Sequence, residues 1–89
     1  MVRLFVRHKV SDYTAWRKVY DAFDSDRTKL GVKGHAVYQN VDDANDVTAW
    51  HDFDDLASAK AFAGSSELKT AMNGAGVVGA PTLWITKHT

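Results

Sequence analysis

The sequence contains no cysteine. That excludes a disulfide framework, thiolate zinc sites and thiol catalysis, and it fits a reducing compartment. A surplus of one charge is also missing, since 11 Lys and Arg stand against 11 Asp and Glu. A general nucleic-acid binder needs a basic excess to neutralise phosphates, so no nucleic-acid partner is expected. No apolar run approaches the roughly 18 residues of a membrane span. The opening MVRLFVRHKV is too charged for the apolar core of a signal peptide. A cytoplasmic protein that does not enter membranes is expected. There is one proline, and no repeat, linker or low-complexity tract interrupts the chain, so 1–89 reads as a single domain.

What the chain has is apolar and aromatic material: 45% hydrophobic residues, with three Trp, three Tyr and four Phe. That content can offset the chain entropy lost on folding. A domain this short buries only about two-thirds of its unfolded surface, so a partner would add useful burial.

The patterning gives an order of elements. Val2 to Val10 alternates, with Val2, Leu4, Val6, His8 and Val10 on one side of a strand. Ser11 offers an N-cap. Tyr13, Trp16, Val19, Tyr20 and Phe23 then recur every three or four residues, which predicts a helix from about Asp12 to Leu30 that stops at Gly31. A strand from His35 to Val41, a polar turn over Asp42–Asp46 and a strand from Val47 to Phe53 read as a hairpin. Short helical turns follow through Leu56, Ala59, Phe62 and Leu68. Asn73 to Gly79 reads as a loop, and Thr82 to Lys87 as a last strand. The order βαββαβ predicts an α+β, ferredoxin-like fold. It is a four-stranded antiparallel sheet with the first and third strands central and the helices on one face.

Pairing Val41 with Val47 sets Val37 opposite His51 and His35 opposite Phe53. One sheet face then carries His35, Val37, Gln39, Val41, Val47, Ala49, His51 and Phe53, and meets the helices. The other carries Phe5, Tyr38, Trp50 and Trp84, too aromatic to be left in water, which points to sheet-to-sheet homodimerisation.

In three of these stretches the chain resembles the dimeric α+β barrel superfamily. The segments that carry the likeness are VRHKV-SDYTAWRKVYDAF, GHAVYQNVDDANDVTAWHDF and LASAKAFAGSSELKTAM. The nearest likeness is to its small members of the antibiotic-biosynthesis-monooxygenase and polyketide-cyclase type. The resemblance implies a homodimer with a cleft between helices and sheet in each protomer. It also implies oxygenase or cyclase chemistry on an aromatic or polyketide-like small molecule without a cofactor. The haem-degrading members use an Asn-Trp-His set. Here Trp50 and His51 are neighbours on one strand and face opposite ways, which argues against haem.

Three histidines carry the candidate chemistry. With the first and third strands read as parallel, His8, His35 and His51 fall at one sheet edge on the helix side, walled by Tyr13, Trp16 and Tyr20. Three readings stay open. His51 and His35 act as acid and base with His8 assisting, because imidazole titrates near neutrality, while Tyr13, Trp16 and Tyr20 bind the substrate. Alternatively His8, His35 and His51 bind a divalent metal. Or each imidazole is structural, satisfied separately by backbone or carboxylate groups such as Asp12 or Asp52; a dimer that uses the cleft to hold a small ligand without turning it over is the non-catalytic alternative. Gly74 to Gly79 matches G-x-G-x-x-G but lacks the strand before and the helix after, so it reads as a flexible loop. The Asp42–Asp46 run lacks the glycine and terminal Glu of a calcium loop and reads as a solvated turn. Arg3, Arg7 and Lys9 are expected to edge the dimer and to pair with acidic groups of the partner.

Overall fold

The computed structural model describes all of Met1–Thr89. The elements are β1 (Val2–Val10), α1 (Tyr13–Ala22), α2 (Asp24–Lys29), β2 (Gly34–Asn40), β3 (Asp43–Phe53), α3 (Leu56–Ala63), α4 (Ser66–Gly74) and β4 (Val77–Lys87). The sheet order is β2-β3-β1-β4, every neighbouring pair is antiparallel, and the four helices accompany it. The α+β, ferredoxin-like class and the strand order are therefore as expected.

Each helix has a local cause. Asp12, rather than Ser11, caps α1 by accepting from the Thr14 amide at 3.2 Å. A second acceptor comes from the sheet, where Asn45 takes the Tyr13 amide at 3.0 Å. The helix expected over Asp12–Leu30 is broken at Phe23, and α2 is a separate short piece. Gly31, with φ of +99°, ends it in the left-handed conformation that glycine adopts without steric cost. Asp55 and Ser65 cap α3 and α4.

The core lies between the helices and the inner sheet face. Leu4, Phe53 and Phe62 are fully buried at the α3 end, and Val10, Trp16, Val47 and Ala75 are buried at the α1 end. The alternation of β1 dictates this, because Leu4, Val6, His8 and Val10 share the face that the helices cover.

Four expectations are corrected. First, β1 and β3 are antiparallel: Leu4 faces His51 and His8 faces Val47. The crossover through α1 and α2 makes β2 parallel to β1, and the hairpin then reverses β3. Second, the hairpin is two residues tighter. His35 pairs with His51 and Val37 with Ala49, with an irregularity after Gln39, and Val41 sits in the turn at 97% exposure. A two-residue shift preserves the faces but changes the neighbours. Third, Asp43 and Asp46 belong to β3 and not to a solvated turn. They hold Lys9 at 2.6 Å and Arg7 at 2.7 Å, while Asp52 takes Arg3 at 2.7 Å, so the three cations are paired within their own chain. Fourth, the glycine-rich stretch is the end of α4 and the start of β4, and not a free loop.

Gly76 shows why a glycine is needed there. Its φ is +75°, its carbonyl accepts from the Ser11 amide at 2.9 Å, and an added Cβ would come within 2.6 Å of the Ser11 hydroxyl. Gly79 shares the positive φ, at +74°, but nothing lies near its open side. We expect Gly76→Ala to cost about 2 kcal/mol, from strain plus the displaced Ser11 side chain, and Gly79→Ala to cost less. Urea unfolding of the two variants measures the difference, and equal losses would show that the Ser11 contact is unimportant.

Candidate functional site

β1 ends beside His8, and α1 leaves from that end and runs back under the sheet. Its aromatic stripe therefore reaches from His8 to the His35–His51 pair. Trp16 meets His8 edge-on, with ring centroids 5.6 Å apart. Trp16 and Tyr20 stack at 4.9 Å, and Tyr20 abuts His35 at 5.8 Å and His51 at 6.0 Å. Trp16, Tyr20, His8 and His51 line a cavity of about 50 Å³ between α1, α4 and the sheet. That is room for a few waters. The remaining lining is largely apolar.

The Tyr20 hydroxyl joins two of the three imidazoles. It lies 3.1 Å from His35 Nδ1 and 3.0 Å from His51 Nε2. A hydroxyl has one hydrogen, so it donates to one ring and accepts from the other. His51 is 3% exposed, while His35 is open to solvent at the rim and places Nε2 3.6 Å from Asp24 Oδ1. Burial, and after it the charges of Arg27 and His35, push the His51 imidazolium down to about 3. His51 is thus a neutral ring at physiological pH. Burial also raises the Tyr20 hydroxyl above its usual value, outweighing the nearby Arg27 and Arg17 charges. His51 Nδ1 is buried and has no partner.

His8 does not join this pair. It stands four positions along β1 from Leu4, the residue opposite His51, or about 13 Å along the strand. It is on the expected face and lines the same cavity from the other end, but the antiparallel course of β3 separates the two. No three His, Cys, Asp or Glu side chains lie close enough to share a metal ion, so the three-imidazole donor set does not assemble. Tyr13 packs against Trp16 at 5.8 Å but stands outside the cavity lining.

A residue that the sequence reading passed over is Arg27. It stands in the last turn of α2, where a cation is ordinarily solvated, yet its side chain is only 3% exposed. The guanidinium lies 3.8 Å from the centre of the Tyr20 ring and donates to the Tyr20 carbonyl and, at 3.3 Å, to Asp24. Asp24 is 66% exposed, so the counter-charge is in water while the cation is not. Arg27 also lines the cavity. The signal was present: the stripe Tyr13, Trp16, Tyr20, Phe23 continues at the same spacing to 27. A charged residue on an apolar stripe is the one to suspect.

No protein-family model matches the sequence, and neither does any curated protein sequence. Solved structures do match its shape. A proposed antibiotic biosynthesis monooxygenase from Bordetella bronchiseptica superposes with a TM-score of 0.85 at 10% identity, over 99% of this chain and 96% of its own. This is the fold of the antibiotic-biosynthesis monooxygenases. SnoaB, a cofactor-independent oxygenase from Streptomyces nogalater, superposes with a TM-score of 0.75 at 13% identity, over 99% and 93% of the two chains. A further antibiotic biosynthesis monooxygenase gives 0.77 at 7% identity, over 100% and 99%. The monooxygenase fold is shared over its whole length, with almost none of its sequence. No helix of this chain is long and apolar enough to cross a membrane.

The depressed His51 has a consequence for stability. Its folded value lies below the ordinary 6.5, so the unfolded chain binds the extra proton. Stability is then full above about pH 6.5 and falls as pH drops towards 3, by up to about 1.4 kcal/mol per unit. His8, lowered by burial, adds in the same direction. Urea melts at pH 7, 6 and 5 should show this loss, and His51→Gln should remove close to one proton from the slope. An unchanged slope would mean that His51 is not buried as a neutral ring.

Proposed function

We propose that this chain is a cofactor-independent oxygenase that acts on a planar, polyketide-like or aromatic small molecule in the cavity between α1 and the sheet. The observation that carries the reading is the Tyr20 hydroxyl held between a buried and an exposed imidazole. That arrangement is a proton path. His51 takes a proton from an acidic C–H or O–H of the substrate at Nδ1 and releases one from Nε2 to Tyr20. Tyr20 passes its own to His35 Nδ1, and His35 gives one from Nε2 to Asp24 and the solvent. Each group accepts on one side and donates on the other. A buried imidazolium is unfavourable here, so His51 transmits the proton and does not retain it. The carbanion or phenolate that remains lies beside buried Arg27, whose charge offsets it. An electron-rich anion of this kind reduces O2 directly. Oxidation of a methylene to a carbonyl then consumes one O2 and yields one water.

The fold likeness supports the reading, since SnoaB is a cofactor-independent oxygenase. The cyclase variant of the same proposal uses the same proton path without oxygen. In either case a fused-ring substrate needs α1 and α4 to part, because the cavity otherwise holds only a few waters.

The test is oxygen uptake with 1,8-dihydroxyanthrone above the uncatalysed rate. Wild-type protein is expected to accelerate it. Tyr20→Phe should lower kcat about 100-fold by cutting the path, with little change in binding. Binding without any uptake or cyclisation would identify a ligand-holding protein instead. Unchanged kcat in Tyr20→Phe would remove the relay.

We also propose that two chains pair through the outer sheet faces, as the dimeric α+β barrels do. Phe5 and Trp84 stack there with centroids 5.1 Å apart, Trp84 is 41% exposed and Tyr38 57%. The cations of that face are already neutralised by Asp46 and Asp52, which lowers the cost of covering them. Sedimentation should give twice 9.8 kDa, and Trp84→Asp should give the single mass. A wild-type monomer at micromolar concentration would overturn the pairing.

A further inference from the structure

Four buried side-chain nitrogens in this protein lack any hydrogen-bond partner: His8 Nδ1, His8 Nε2, Arg27 Nε and His51 Nδ1. All four belong to residues that line the one cavity between α1, α4 and the sheet. Buried polar groups are otherwise almost always paired, because leaving one unpaired forfeits its hydration without return. Such a set gathered around one space marks the place of a missing partner.

The set is also polarised. At one end are a cation, Arg27, and His51 Nδ1, which presents an N–H to an anion in the tautomer whose Nε2 accepts from the Tyr20 hydroxyl. At the other end is His8 alone, a neutral ring with one donor and one acceptor to offer. Between them runs an aromatic wall, Trp16 stacked on Tyr20. The two ends are four residues apart along β1. A compact ligand cannot reach both; an elongated flat one can once α1 and α4 part to enlarge the cavity of about 50 Å³.

We propose that His8 is a specificity-determining residue that reads the far end of the ligand. The ligand class is an elongated planar anion, with its negative oxygen at Arg27 and His51, its ring system on Trp16 and Tyr20, and a second hydrogen-bonding group at His8. This rests on the cavity being the ligand site, as in the function proposed above, and it adds the substrate's polarity and the role of an imidazole outside the proton path. His8 is thereby assigned to recognition and not to acid–base chemistry.

The probes are 2-naphthoate and 6-hydroxy-2-naphthoate, which share the anionic end and differ only in a hydroxyl at the far end. Calorimetry on the full chain should show the hydroxylated probe binding about tenfold tighter. His8→Phe should abolish that preference while leaving 2-naphthoate affinity within about twofold. His8→Gln, which keeps a donor and an acceptor, should retain at least half of the preference on a logarithmic scale. Neutral 2-naphthol should bind at least tenfold more weakly than 2-naphthoate, and Arg27→Met should erase that difference. Should Arg27→Met fail to fold, Arg27→Lys must still preserve it. Equal affinity of wild-type protein for the two naphthoates, or a preference that survives His8→Phe, would overturn the role of His8. No binding of either naphthoate would show that cavity water satisfies these nitrogens, and would overturn the site. The measurement reads binding alone, so the expected preference without oxygen uptake would remove the oxygenase reading and leave this one standing.

Discussion

The Tyr20 hydroxyl can reach two imidazoles only because His35 and His51 are opposed on neighbouring strands, and much of the site depends on that register. Directly paired residues of an antiparallel ladder share a face and stand close together. The irregularity after Gln39 and the tight turn at Val41 fix the pairing. Sliding the strand by two residues would keep every side chain on its face and place His35 against Phe53, which has no polar atom to share. The hairpin turn, at the other end of these strands from His35 and His51, therefore sets which imidazoles meet.

The second constraint is electrostatic. The outer sheet face carries its charges as pairs, Arg3 with Asp52, Arg7 with Asp46 and Lys9 with Asp43. The inner face does the opposite. Arg27 is buried with its carboxylate partner in water, and the neighbouring His51 is held neutral. A buried cation with so little local compensation is costly. The cost falls when an anion enters, so the same feature that weakens the fold favours a negatively charged ligand or intermediate.

Much of this could be read from the residues. The alternation of Val2 to Val10 and the stripe from Tyr13 to Phe23 state which faces are apolar, and faces survive errors of register by two. Strand order followed from crossover handedness. What failed was direction and neighbourhood. Reading β1 and β3 as parallel put His8 beside His51, whereas the antiparallel course puts it at the far end of the same cavity. The acidic residues after Val41 resemble a solvated turn because local composition does not show that Arg7 and Lys9 lie across the ladder from them.

Sequence alone determined the α+β class, the inner and outer faces of the sheet, the aromatic stripe and the residue types available for proton transfer. These are local properties, set by periods of two and 3.6 residues. Tertiary structure decided which histidines meet, that Tyr20 bridges them, and that Arg27 is buried. Those depend on contacts between residues 15 to 31 positions apart, and on which charge loses its water. The apolar stripe marks position 27 as suspect, but neither the contacts nor the burial follows from the spacing of one segment alone.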